Sequence, residues 1–151
     1  MTRSTAREIA VHFAFELGFS NRSADELLEQ KLTKENFELL GAEESLYADF
    51  PNEKQKAYII DLVRGVFEHG AELDAYIEKY AKGWKFSRID RVAAAIMRVT
   101  MYEILYMPDV PNKVAINEAI EIAKGYEDED VIKFMNGILG SFVRAEFPEE
   151  N

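Results

Sequence analysis

Apolar positions recur at helical spacing along almost the whole chain. In Ser87–Met107, SRIDRVAAAIMRVTMYEILYM, one stripe runs through Ile89, Val92, Ala93, Ile96 and Thr100, and a second through Ala94, Met97, Met101 and Leu105. A helix that is apolar nearly all round is one that other helices surround. This stretch is therefore predicted to be the central helix of an all-α fold. Ser87 and Asp90 have capping-box spacing at its start. Met107-Pro108 ends it, because Pro disfavours helix for the residue before it. Its few polar positions, Arg91, Arg98 and Tyr102, fall largely on one line.

The flanking segments follow the same period. Residues 3–19 make an amphipathic helix with Ala6, Ile9, Ala10, Phe13 and Leu17 on its apolar face. Ser23-Ala-Asp-Glu26 is a capping box opening a second helix through Leu27, Leu28 and Leu32. Phe37, Leu39 and Leu40 extend the apolar pattern to a terminating Gly41, and residues 41–52 are expected to be loop. One long pattern spans Glu53 to Lys82, with Gly65 and Gly70 marking close packing or a bend and Gly83 its end. Trp84-Lys85-Phe86 links it to the central helix; a tryptophan docked on the core is the plainer reading, contact with RNA bases the other. After Pro108-Asp-Val-Pro111 comes a helix from Asn112 to Tyr126, with Ile116, Ala119, Ile120 and Ala123 inward. The last helix follows Glu127-Asp-Glu-Asp130 and carries Val131, Phe134, Met135, Ile138 and Phe142 on its apolar stripe. There is no internal repeat and no strand-like alternation.

Composition narrows the function. The 151 residues suit one domain, 1–151, able to bury a core without disulfide or metal. With no Cys, thiol nucleophiles and thiolate metal sites are excluded, and a reducing, cytoplasmic setting fits. No stretch reaches the ~18 apolar residues of a membrane span, and the N-terminus lacks a signal peptide's apolar region. The net charge of −10 argues against non-specific nucleic-acid binding, though not against a local basic patch. Neither His12 nor His69 has a Glu three residues before it, and HExxH, the P-loop and GxGxxG are missing. No metal or cofactor is implied, and a non-enzymatic binding module is the better physical reading.

Two segments carry a resemblance. Val110-Pro-Asn-Lys-Val-Ala-Ile-Asn-Glu-Ala-Ile-Glu-Ile-Ala-Lys124 and Lys133-Phe-Met-Asn-Gly-Ile-Leu-Gly140 closely resemble the NusB family of transcription antitermination proteins, whose pattern there is VPxxVAINEAxELAK and KFVNGxLG. Ala6-Arg7-Glu8-Ile9-Ala10, Leu62-Val63-Arg64-Gly65-Val66 and Trp84 with Arg88-Ile-Asp90-Arg91 are similar to further family motifs, and only about residues 20–52 fit weakly. The resemblance implies an all-α bundle of two packed helical subdomains. It also implies binding to the boxA element of nascent RNA together with NusE, a small-subunit ribosomal protein, and action on the RNA polymerase elongation complex.

Residue by residue, the resemblance places Arg3, Arg7, Phe15, Asp130, Lys133 and Phe134 at RNA-contacting positions. That set suits unpaired bases stacked on aromatics, with cations on phosphates. Each residue also has a plainer role: Arg3 and Arg7 as surface charge, Phe134 on the core stripe, Asp130 at a helix start, Lys133 as surface charge. Ser4 and Thr5 stand where the family often has further arginines, so weaker, more NusE-dependent RNA binding is expected. NusE itself is expected on an exposed polar line of the central helix and its neighbour that includes Arg91 and Tyr102. A protein-binding helical adaptor without RNA recognition is the alternative, and an enzyme a distant third.

Overall fold

The computed structural model describes residues 1–83 and 89–148. Those residues form eight α-helices and one 3₁₀ turn, with no strand among them. They divide into two compact units, Met1–Glu68 and His69–Asn151. Trp84-Lys85-Phe86, Ser87 and Arg88 lie outside the described residues.

The first unit holds α1 (Arg3–Leu17), α2 (Ala24–Lys31), α3 (Lys34–Gly41), the 3₁₀ turn Ser45–Tyr47 and α4 (Glu53–Glu68). Helix α1 packs along α4, and α2 packs on both. Ile9, Ala10 and Phe13 of α1 are buried, as are Leu27 of α2 and Ile59, Leu62 and Val63 of α4. The capping box at Ser23 forms as its spacing predicts: Ser23 Oγ accepts from Glu26 N, and Glu26 Oε1 accepts from Ser23 N.

Two sequence expectations for this unit change. The apolar run after Ser23 is two helices, because Leu32 leaves the helical region and Thr33 caps α3 through Asn36 N. Of the three apolar residues expected to continue the core, Phe37 is buried and Leu39 is 75% exposed. The segment read as loop contains the turn Ser45–Tyr47, held by an aromatic cluster. Phe37 meets Tyr47 and Phe50 edge-on, each with centroids 5.1 Å apart, and Tyr47 Oη lies 2.9 Å from His12 Nδ1. Burial lowers the His12 pKa despite Glu8, Glu44 and Glu16 nearby, so this ring packs as neutral imidazole.

The second unit holds α5 (Gly70–Tyr80), α6 (Arg91–Tyr106), α7 (Asn112–Ala123) and α8 (Glu129–Glu146). Helix α6 packs against all three others. Eleven of its 16 residues are buried, which is what its two apolar stripes require. Its polar groups are satisfied within the fold. Thr100 Oγ1 donates to the Ile96 carbonyl at 2.7 Å, and Arg98 Nε donates to Asp74 of α5 at 2.6 Å. Glu103 is fully buried, and no buried side-chain nitrogen or oxygen among the described residues lacks a hydrogen-bond partner.

The ends of these helices correct three further expectations. The central helix starts at Arg91 rather than Ser87, because Asp90 is the N-cap and its carboxylate accepts from Ala93 N at 3.1 Å. The pattern from Glu53 to Lys82 is broken at His69, whose ψ of 17° is not helical, so Gly70 opens a new helix. Helix α7 ends at Ala123, and its inward face is Ala115, Ala119, Ile122 and Ala123, with Ile116 and Ile120 half-buried. A fourth concerns Gly83: α5 ends at Tyr80 with Ala81 as its C-cap, so Gly83 is not the cap but lies beyond it, with a left-handed φ of 81° that only glycine adopts readily.

Gly41 is fixed by a close approach. A Cβ there would lie 2.7 Å from the Tyr47 carbonyl oxygen, and Tyr47 is anchored by the aromatic cluster. At Gly70 a Cβ would meet nothing within 4 Å. Gly41→Ala is therefore expected to cost about 1–3 kcal/mol of unfolding free energy as an overpacked site. Gly70→Ala is expected to be neutral or to gain up to about 1 kcal/mol. Urea unfolding of both variants checks the contrast.

Candidate nucleic-acid interface

The sequence-predicted residues fall into two sets, one on each unit. On the first unit, α1 presents Arg3, Arg7 and Phe15. Thr2 caps the helix by accepting from Thr5 N at 3.0 Å. Arg3 and Arg7, one turn apart, converge on the Tyr58 ring of α4, with their guanidinium carbons 4.3 and 5.9 Å from its centroid. Their exposures differ sharply. Arg3 is exposed, whereas Arg7 is only 3% exposed and its buried donors are partnered. Arg3 meets solvent as it stands; Arg7 would have to leave its burial to reach a phosphate. Phe15 lies eight residues beyond Arg7, roughly 12 Å along the helix. It is half-buried and packs edge-on against Phe19, centroids 4.9 Å apart.

On the second unit, Asp130, Lys133 and Phe134 share the first turns of α8. Asp128 is the N-cap, accepting from Val131 N at 3.0 Å, and Glu129 and Asp130 put negative charge where the helix dipole favours it. Asp130 and Lys133 are exposed, and Phe134 is half-buried at the rim of a stripe whose buried members are Met135, Ile138, Leu139, Phe142 and Val143. Phe134 thus reaches both core and surface. The set offers a cation, a carboxylate and a partly open ring within one turn, suited to phosphates and to the edges and faces of unpaired bases.

Arg91 and Tyr102 do not form one exposed line. Arg91 is exposed at the first turn of α6, but Tyr102 is 8% exposed, with its ring near His69 and Tyr106 at centroid distances of 5.9 and 5.1 Å. The third member, Arg98, is engaged by Asp74. Helical spacing aligned the three, but Asp74 of α5 engages Arg98 and Tyr102 is buried beside His69 and Tyr106.

Sequence reasoning missed Tyr58, with Lys54 and Gln55 beside it. All three line the same recess as Arg3. A Tyr one turn after Lys54, off the apolar stripe of α4, was the available signal, but its meaning depends on α1 lying alongside. Among the described residues no group of three or more His, Asp or Glu could hold a metal ion, and no helix is long and apolar enough to cross a membrane.

These features define an all-helical fold carrying small basic–aromatic sets on a strongly acidic chain. The sequence model of the NusB family matches residues 4–144. The transcription antitermination protein NusB of Acetivibrio thermocellus is 41% identical over 145 residues, covering 96% of this chain and 90% of that protein. That of Symbiobacterium thermophilum is 38% identical, covering 96% and 91%. A solved structure of T. maritima NusB superposes with a TM-score of 0.79 at 28% identity, covering 95% of this chain and 92% of that one. A chain from the structure described as "Crystal Structure of a Plectonemic RNA Supercoil" shares the fold, with a TM-score of 0.78 at 24% identity. The chain belongs to the NusB family of transcription antitermination proteins.

One electrostatic feature adjoins the α8 set. Glu127, just before α8, pairs with Asp90, the N-cap of α6. Burial, the hydrogen bond to Asp90 and the charges of Asp90 and Asp128 push the Glu127 carboxyl up to about 7, while the same hydrogen bond holds Asp90 below the usual carboxylate range. The ordinary Glu value is 4.5 and the folded value is raised, so the stability from protonated Glu127 is full below about pH 4.5 and is lost as pH rises through about 7. Glu127→Gln keeps a neutral donor there. Urea midpoints at pH 5 and pH 8 are expected to fall less with rising pH in this variant than in the wild type.

Proposed function

We propose that this chain is a non-enzymatic RNA-binding factor of the cytoplasm. As a single RNA-binding domain it engages the boxA element of nascent ribosomal RNA together with NusE, and the complex acts on the RNA polymerase elongation complex. The observation that carries the reading is the NusB family match, which runs through both residue sets, Arg3 alone lying just outside it. Exposed Arg3 and Lys133 take phosphates, Phe15 and Phe134 offer ring surface to unpaired bases, and Asp130 accepts from base amino or imino groups. Arg7 contributes mainly by holding the Arg3–Tyr58 stack, given its burial. NusE meets the exposed start of α6 at Arg91, with Tyr102 supplying at most an edge, and the chain's net charge of −10 suits a basic ribosomal protein.

The net charge of −10 and the burial of Arg7 favour one competing reading, a protein-binding adaptor that has lost RNA recognition. Fluorescence anisotropy separates the two. Labelled single-stranded boxA RNA and a scrambled RNA are titrated with the protein, with and without NusE. Preference for boxA, tightening with NusE and a steep loss with salt are expected. Arg3→Ala/Lys133→Ala is expected to weaken binding about tenfold or more and to lower the log–log salt slope by about 0.7 for each phosphate contact removed. No boxA preference even with NusE, while NusE itself still binds, would make the adaptor the better account.

A further inference from the structure

A cavity of about 230 Å³ opens on the first unit, where the first turn of α1 lies against the first turns of α4. Arg3 and Ala6 of α1 and Lys54, Gln55 and Tyr58 of α4 line it. The lining holds two cations and no carboxylate, on a chain with 28 acidic and 18 basic residues. First-turn residues of both helices face it, so two positive dipole ends add to the cations. The cavity is also built rather than incidental. Gln55 Oε1 accepts from Asn52 N at 2.9 Å, Asn52 Oδ1 accepts from Gln55 N at 2.9 Å, and Gln55 Nε2 donates to the Met1 carbonyl at 2.5 Å. That amide caps α4 and ties down the chain just before Arg3. Arg3 then lies 4.3 Å over the Tyr58 ring.

Aromatic rings and guanidinium planes are the side-chain surfaces on which unpaired bases stack. We infer that this cavity is a nucleotide subsite of single-stranded RNA: a base packs against the Arg3–Tyr58 pair, and the Lys54 ammonium takes the adjoining phosphate. The inference rests on the RNA-binding reading above and extends the RNA path onto α4, which none of the family-matched site residues occupies. Its chemistry also sets its selectivity. The Gln55 amide is already engaged on both sides, and a ring and an ammonium do not distinguish one base from another. The subsite therefore adds affinity without base identity, unlike the α8 set with its carboxylate.

The test uses the full chain with NusE, boxA RNA carrying flanking nucleotides, and a scrambled RNA of equal length. Lys54→Ala removes an exposed cation and should leave folding intact. It is expected to weaken both RNAs by a similar factor, about three- to tenfold, and to lower the salt slope by about 0.7. Tyr58→Leu is expected to weaken both on the order of tenfold or more, and Tyr58→Phe, which keeps the ring, to change little. RNA bearing 4-thiouridine should crosslink to the peptide containing residues 54–58. If Lys54→Ala and Tyr58→Leu bind like wild type and no crosslink maps to α4, while Arg3→Ala/Lys133→Ala still weakens binding, the subsite is wrong and the RNA-binding reading stands. If the wild-type protein with NusE binds neither RNA, both fall.

Discussion

The fold of the second unit depends on one requirement: α6 is apolar on nearly every side and must be enclosed on nearly every side. Helices α5, α7 and α8 meet it together, and each supplies the stripe that an enclosing helix needs. Enclosure then dictates what the polar residues of α6 do. A buried hydroxyl without a partner costs about 1–3 kcal/mol, so Thr100 donates to the Ile96 carbonyl of the preceding turn, while half-buried Arg98 pairs with Asp74 of α5. Of the residues that a helical wheel shows as one polar line, Arg98 thus becomes a tie to α5, Tyr102 is buried, and the terminal Arg91 is exposed.

Much of this was legible in the sequence, and the failures have physical reasons. Helix identity came from period, and the Ser23–Glu26 capping box from local chemistry whose partners lie three residues apart. The break at Leu32 was not legible, since it is neither Gly nor Pro and the apolar period continues through it, whereas the break at His69 falls beside Gly70, where a bend was one of the two readings. The true start of α6 was hidden because Asp90 suits either a third helical position or an N-cap. The candidate site was legible only as residue types. Lys133 beside Phe134 is a pattern visible in one helix. The burial of Arg7 and the coverage of Tyr102 depend on packing that spacing does not encode.

A strongly acidic chain that presents cations to a ligand must concentrate them. Here the two sets differ in how they do so. On α8, Lys133 sits one turn beyond Asp128, Glu129 and Asp130, so its field is short-ranged and contact with an anion is local and directional. The Glu127 carboxyl, whose pKa burial and Asp90 push up, lies just before that helix start. At the start of α1 no acidic residue occupies the first turn, so the cations there act beside the positive end of the helix dipole. A partner with its own positive charge would have a reason to approach the rest of the surface.

The Arg3–Tyr58 stack bears on how quickly as well as how tightly a ligand is held. An arginine side chain loses about 2 kcal/mol of rotamer entropy when it is fixed. Lying 4.3 Å over the Tyr58 ring, next to a chain start that Gln55 tethers, Arg3 has lost part of that freedom during folding. Less ordering remains for the moment of encounter. A flexible arginine arm searches for its ligand and then freezes. A pre-stacked one offers a finished surface, so that departure of the ligand, rather than rearrangement of the arm, governs how long the complex lasts.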